Sequence, residues 1–326
     1  MPKEITHWHV AQAVLGRKIP VKLAGMIEKN PHLYYLGSVA HDIPFYDLTE
    51  PSKFSLERVG DMLHGVNGEN TLYPMVSLLK RGASREIIEQ GYLHSFLLGM
   101  LTHYVVDSSF HPFVYYLSGN YYALDSNQRA KAVFRHRLFE TGLDVWLQTN
   151  NPLVYPVNLL KLARNSGKSG KNILTYLAEH YSMPQDKNFI FKFRTAWFNH
   201  CLMQALFSRS IPWKLLQMYK QLGHQGVEKI EALFYPQPFN TSFYELKVEW
   251  RHPVTGEISE NSTSELYNKS IESVAALFNR IGDNPEDWPM ILSQMDALSL
   301  DTGLPMTKVK DMKFFCPEAI EYKLRL

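Results

Sequence analysis

The sequence predicts an all-α protein, and three observations carry that expectation. Apolar residues recur at three- and four-residue steps through most of the chain, the period of a helix with one buried face. Alternating β-branched stretches are almost absent. Cap and stop residues bracket a periodic segment where a helix should begin and end.

The longest stripe, residues 85–110, places Ile87, Ile88, Tyr92, Leu93, Phe96, Leu97, Met100, Leu101, Tyr104 and Val105 on that period. Shorter stripes predict helices at 10–14, 131–147, 172–180, 189–207, 213–222 and 266–281. Ser262 and Glu265 fit a capping box before the last of these, and Gly282 stops it. The exception to the helical pattern is "FYELKVEW" with the following "PVTGEIS", a short ribbon turning at Thr255–Gly256. The polar "ARNSGKSGKN" (163–172) reads as a loop or linker. It is not a phosphate loop, because Leu162 stands where that motif needs its first glycine.

A length of 326 residues implies about two domains or one large one. The 45% apolar share and 20% charged share describe a folded chain. A net charge of +2 and the lack of a basic tail leave no strong nucleic-acid signature. Cys201 and Cys316 cannot build a disulfide framework, so a reducing compartment is expected and any metal must rest on histidine and carboxylates. "MPKEITHWHV" has no apolar run of signal-peptide length. A cytoplasmic protein is therefore expected, or a secreted one if the N-terminus given has been trimmed. The most apolar window, "YLHSFLLGMLTHYVVD", is broken by His94, His103 and Asp107, short of the ~20 residues that span a bilayer. It reads as a buried helix.

Nine of the 13 histidines fall within residues 1–150, so the chemistry is sought there. His103, Asp107 and His111 stand four residues apart, and four residues of helix advance ~6 Å with only ~40° of rotation. All three heads thus share one stripe. Pro112 predicts that His111 sits at a frayed helix end. His136, Glu140 and Asp144 repeat the step in "RHRLFETGLD". Core histidines satisfied by hydrogen bonds are the competing reading. Against it, a desolvated Asp107 between two imidazoles needs a compensating charge, which a cation supplies. Two helices presenting such residues inward can enclose several ions. Imidazole with carboxylate suits zinc, and manganese or iron by ligand type.

At this point the chain resembles the zinc-dependent phospholipase C family, whose fold is shared with S1/P1-type nucleases and the catalytic domain of glycosylphosphatidylinositol-specific phospholipase D. The resemblance rests on "THWHVAQAVL", "LGSVAHDIPFYD", "DMLHG", "FLLGMLTHYVVDSSFHPF" and "HRLFETGLD" in that order, across about the first 145 residues. It implies a multi-helix bundle enclosing two or three Zn²⁺ ions. Asp42, His64, His103 and Asp107 would serve one, His111, His136 and Glu140 a second, and His7 with bridging Asp107 a third. It also implies that Asp42 is the general base. Secreted members complete the third site with the amine and carbonyl of an N-terminal tryptophan. Here six residues precede His7, so Met1, His9 or Asp144 completes it, or it is weak or empty. The short step from Asp107 to His111 is closer to the phospholipase D branch.

Phe113, Tyr115, Tyr116, Tyr121 and Tyr122 follow the first ladder, and Phe45 and Tyr46 follow Asp42. They are candidates to hold a headgroup by cation–π contact or to stack a base, with core packing as the rival reading. His252 in "WRHPVTGE" reads as packing, and adjacent His200 and Cys201 cannot face one another on a helix. The expected activity is phospholipase C-like hydrolysis of a phospholipid-type diester by zinc-activated water, with peripheral membrane contact. The alternatives are an HD-type phosphohydrolase, in which His41 and Asp42 both bind metal, a nuclease-like enzyme, or a non-catalytic helical binding protein stabilised by zinc. A helical domain over 1–235 and a mostly helical C-terminal extension over 236–326 are expected.

Overall fold

The computed structural model describes residues 3–48, 56–82, 90–155, 158–181, 188–222, 226–318 and 320–325. The chain is helical as expected. In order it forms α1 (Glu4–Val14), α2 (Val21–Lys29), α3 (Pro31–Gly37), a 3-10 segment at Ala40–Tyr46, α4 (Glu57–His64), α5 (Tyr73–Gly82), α6 (Gln90–Ser118) and α7 (Ser126–Asn150). Then come α8 (Leu159–Tyr181), α9 (Phe189–Phe207), α10 (Ser210–Gln221) and α11 (Glu228–Glu231). The C-terminal part adds the hairpin β1 (Val248–Arg251) and β2 (Ile258–Asn261), then α12 (Thr263–Ile281), α13 (Trp288–Ser293) and α14 (Glu321–Leu324).

Helix α6 is the axis, with α1, α2, α3, α5, α7 and α12 packed around it. Its apolar residues Phe96, Leu98, Leu101, Val106 and Phe110 are buried with Trp8, Tyr34, Phe139 and Phe278 in one core. The α3–α6 crossing depends on two glycines. A Cβ on Gly37 would collide with the Phe96 carbonyl, and one on Gly99 with the Tyr34 carbonyl and the Ser38 amide. Only bare backbone lets the helices approach so closely, and that contact brings Ser38 beside His103.

The hairpin pairs in antiparallel register, Val248 opposite Asn261 and Arg251 opposite Ile258, as the ribbon pattern predicts. Both arms of the Ser262–Glu265 capping box form, and Gly282 terminates α12. Helix α12 lies along α6 and α1, and β1 packs on α6.

Two expectations are corrected. Residues 163–172 are not a linker: α8 runs through them with one break, at Gly167 (φ 53°, ψ −134°). The small residues Ser166 and Gly170 form the buried stripe together with Leu162, and Gly170 lies against Leu36 of α3. Nor does α6 fray at Pro112; it continues to Ser118, and His111 is fully buried. Pro112 removes an amide that would have bonded the Ser108 carbonyl. Gly303, from the C-terminal loop, packs against that carbonyl and the proline ring. Tertiary packing outweighs the local preference. Among the described residues, no helix is long and apolar enough to cross a membrane.

Candidate metal centre

The centre lies where α6 meets α1, the 3-10 segment, α4 and α7. Helix α6 supplies His103, Asp107 and His111 on one stripe, as the spacing requires. The 3-10 segment supplies Asp42, and α7 supplies His136 and Glu140. Helix α4 supplies His64 as its last residue; Gly65 follows in the left-handed region (φ 71°) and turns the chain away. A Cβ on Gly60 would enter the Phe45 ring, so bare backbone again lets α4 lie flat on the segment that carries Asp42.

Ligand atoms of Asp42, His64, His103 and Asp107 all lie within 4.8 Å of one another, and so do those of His111, His136 and Glu140. All seven residues are buried. Asp107 divides its oxygens. Oδ2 lies 3.0 Å from His103 Nε2 and 3.4 Å from His64 Nε2, whereas Oδ1 faces His7 Nε2 at 3.3 Å. Asp42 Oδ1 closes the first group, 3.5 Å from His64 Nε2 and 3.6 Å from His103 Nε2. In the second group His136 Nε2 is 2.8 Å and His111 Nε2 3.8 Å from Glu140 Oε1.

These residues fit metal ions. Among the described residues, His7 Nε2, Asp42 Oδ1, His64 Nε2, His103 Nε2, both Asp107 oxygens and His111 Nε2 are buried and make no hydrogen bond. Each such group costs about 1–3 kcal/mol, more if charged, unless something compensates it. The opposite ring nitrogens of His64, His103 and His111 are engaged. His64 Nδ1 donates to the Gly60 carbonyl at 2.8 Å, His103 Nδ1 to the Ser38 carbonyl at 2.9 Å, and His111 Nδ1 to the Leu300 carbonyl at 3.0 Å. A carbonyl only accepts, so each Nδ1 carries the proton and Nε2 presents its lone pair to the centre, the arrangement that metal-bound histidines take.

The charges agree. Burial alone raises Asp107, but the imidazoles of His103, His111 and His7 outweigh it and hold the carboxylate well below its usual range. Burial lowers His64, yet Asp107 and Asp42 outweigh it and push the ring up to about 10. Protons held in this way are displaced when a dication binds. Burial raises Glu140 to about 7.

The remaining candidates divide. His41 stacks on His103 at 4.5 Å and belongs to neither group of ligand atoms. His9 Nε2 contacts Gln148 at 3.3 Å. Asp144 accepts from the Thr6 amide and hydroxyl and from Tyr235. Met1 lies outside the described residues. Tyr115 and Tyr121 lie 4.8 and 5.2 Å from the His136 ring, and Phe45 lies 5.2 Å from His64. Phe113, by contrast, is core, packed on Phe139 and Trp250. Tyr46 stacks on His200, and the Tyr116 carbonyl accepts from the Cys316 amide. Phe113 is fully buried, and the Tyr116 side chain packs against the hydrophobic core.

Asp301 escaped sequence reasoning. Its Oδ1 lies 3.1 Å from His111 Nδ1, and its Oδ2 accepts from Tyr122 at 2.6 Å. It therefore orients a candidate ligand from 190 positions away. The loop that carries it is pinned to the centre, since the Leu300 amide donates to the His64 carbonyl at 2.8 Å. His252 supports the same loop through the Thr302 carbonyl at 3.0 Å. No local signal marks Asp301.

Fold and site together define a helical protein built around a multinuclear metal centre. The family described as zinc dependent phospholipase C matches residues 6–204, and the chain belongs to that family. The match places it among metal-dependent, phospholipase-like hydrolases, and the two groups of ligand residues fit two to three zinc ions. No curated protein and no solved structure matches the chain.

Proposed function

We propose that the chain hydrolyses a phospholipid-type phosphodiester, releasing a phosphorylated headgroup from a diacylglycerol-type alcohol. One observation carries this reading over a structural zinc site: Asp107 divides its oxygens between His7 and the His64–His103 pair, one helical turn from a second ligand group. A structural zinc is closed by four protein ligands around a single ion, whereas bridged ions serve phosphate ester hydrolysis. Zinc bound here supplies an acidified water and positive charge for the transition state.

The chain's own residues do the rest. His64, His103 and His111 present lone pairs held in place by the Gly60, Ser38 and Leu300 carbonyls. Asp42 turns Oδ1 toward His64 and His103, which leaves its second oxygen as the candidate to take a proton from attacking water. Phe45 and Tyr121, both partly exposed beside the two ligand groups, offer π faces to a cationic headgroup. The stacked position of His41 favours this arrangement over the HD-type one, in which His41 would be a ligand.

The test is turnover of a dispersed short-chain phosphatidylcholine by zinc-loaded protein, with the phosphorylated headgroup detected by mass spectrometry. His103→Ala should lose an ion and nearly all turnover. His41→Ala should keep its metal and at least about a tenth of the rate, since direct acid–base roles are worth ~10²–10⁴-fold. The reverse pattern assigns the HD-type mechanism. Cleavage of single-stranded nucleic acid alone assigns a nuclease, and zinc-loaded protein that cleaves no diester is a binding protein.

A further inference from the structure

Helix α9 has two unlike sides. On one, the buried His200 ring stacks on Tyr46 at 3.9 Å, and Asn199, at the edge of the helix's exposed stripe, donates Nδ2 to the Tyr46 carbonyl at 3.0 Å. This side holds the segment that carries Asp42. The other presents Phe191, Phe198, Leu202 and Leu206, between 36 and 72% exposed, at steps that keep them on one stripe. Helix α10 repeats the pattern. Ile211, Leu215, Met218 and Leu222 are 59 to 77% exposed, and no residue of the helix is buried. Single exposed apolar residues need no explanation, but two successive helices that each present a stripe do.

Charge over the same stretch has one sign. Between Asp186 and Glu228 the sequence has no acidic residue, while Lys187, Lys192, Arg194, Arg209, Lys214 and Lys220 fall within it. Lys220 is paired with Glu231 at 2.7 Å. Arg194 bonds Thr175 at 3.2 Å and lines a cavity of about 500 Å³ together with Lys168 and Lys171 of α8. Phe193 and Trp197 form part of the wall, and among the described residues no carboxylate lines it. An apolar stripe beside a cationic recess suits a surface with anionic heads over apolar tails. A second copy of the chain fits less well, because pairing this face with itself sets cation against cation.

We propose that the α9–α10 face docks the protein on an anionic phospholipid membrane, its stripe residues entering the acyl boundary while Lys168, Lys171 and Arg194 receive a headgroup phosphate. The proposal rests on the phospholipid reading of the substrate, and it places the docking face on the helix that also braces Asp42.

The experiment is co-sedimentation of zinc-loaded protein with phosphatidylcholine vesicles and with vesicles that also contain phosphatidylglycerol. Binding should favour the anionic vesicles and weaken with salt. Lys171→Gln with Arg194→Gln should lower the partition onto anionic vesicles about fivefold per charge, whereas Phe198→Ser with Leu202→Ser should lower it about tenfold or more on either vesicle. All four substitutions should leave turnover of the dispersed short-chain diester unchanged. Absence of vesicle binding, or binding that neither pair weakens, overturns the proposal. So does affinity for inorganic phosphate without affinity for vesicles, or a dimer by light scattering that Leu202→Ser dissociates. Diester turnover separates the two readings: protein that binds vesicles but cleaves nothing refutes the proposed activity alone, and protein that cleaves the diester but ignores vesicles refutes the docking face alone.

Discussion

Two buried polar clusters meet at helix α1, and they treat their carboxylates in opposite ways. Around Glu4 and Asp144 the carboxylate oxygens have partners. Glu4 Oε1 takes His200 Nε2 at 2.8 Å and the Tyr46 hydroxyl at 3.0 Å. Asp144 Oδ1 accepts from the Thr6 amide and hydroxyl, and its Oδ2 accepts from Tyr235 at 2.8 Å. Lys3 spends its ammonium on the Leu233 carbonyl at 2.7 Å and lies over the Tyr235 ring. One turn further along α1, at His7, the pattern inverts: both Asp107 oxygens and Asp42 Oδ1 face imidazole nitrogens yet, among the described residues, accept no hydrogen bond. A network that completes itself with protein donors anchors a fold. One that aims unsatisfied acceptors and lone pairs at a common centre is completed by a cation. The neighbouring cluster is the control that shows the difference is built in, since the same chain satisfies its buried carboxylates when it needs no ion.

Removing the shared acceptor should break the comparison most sharply. Asp107→Asn takes one charge from two donor sets, so bound zinc should fall by at least one equivalent and turnover should be nearly abolished, as elemental analysis and diester kinetics would show. Full zinc content in this variant would contradict the bridging role. Asp42→Asn should cost ~10²–10⁴ in rate while retaining most of the metal. A variant that keeps more than about a tenth of the rate would exclude Asp42 as the base.

Smaller effects sharpen the contrast. Asp301→Asn leaves every ligand in place but weakens the hold on His111, so zinc affinity measured against a competing chelator should drop ~10–100-fold. Unchanged affinity would reduce Asp301 to packing. Glu4→Gln should leave zinc content untouched and cost ~1–3 kcal/mol of stability at neutral pH. Burial raises Glu4, but His200 outweighs it and holds the carboxyl at about 2, against an ordinary 4.5. The stability from this group is therefore complete above pH 4.5 and is lost as pH falls toward 2. Denaturation midpoints of the wild type should decline across that interval, and those of the variant should decline less.

The stripe His103–Asp107–His111 was legible because four-residue spacing is a property of a single helix, and His136–Glu140 was legible for the same reason. The cap at Ser262 and the stop at Gly282 were equally local. The misreadings all lie where a neighbour in space overrides a neighbour in sequence. Pro112 should end α6, but the loop around Gly303 covers the break. Ser166 and Gly170 suggest a loop, but they are the small residues on the packed face of α8. Phe113 stands beside the ligand stripe in sequence and points instead to Phe139 and Trp250.

What the sequence determined by itself is the set of ligand types and the helical faces that carry them, because helix geometry converts spacing into direction without any other part of the chain. What only the tertiary structure decided is the state in which those ligands meet. The proton on Nδ1 of His103, His64 and His111 is held by carbonyls of Ser38, Gly60 and Leu300, two of them brought from far along the chain. The brace on His111 comes from Asp301, beyond the segment matched by the family. Hydrogen bonds act over about 3 Å, and only the packing of α3 and the C-terminal loop onto α6 brings Ser38, Leu300 and Asp301 within that distance.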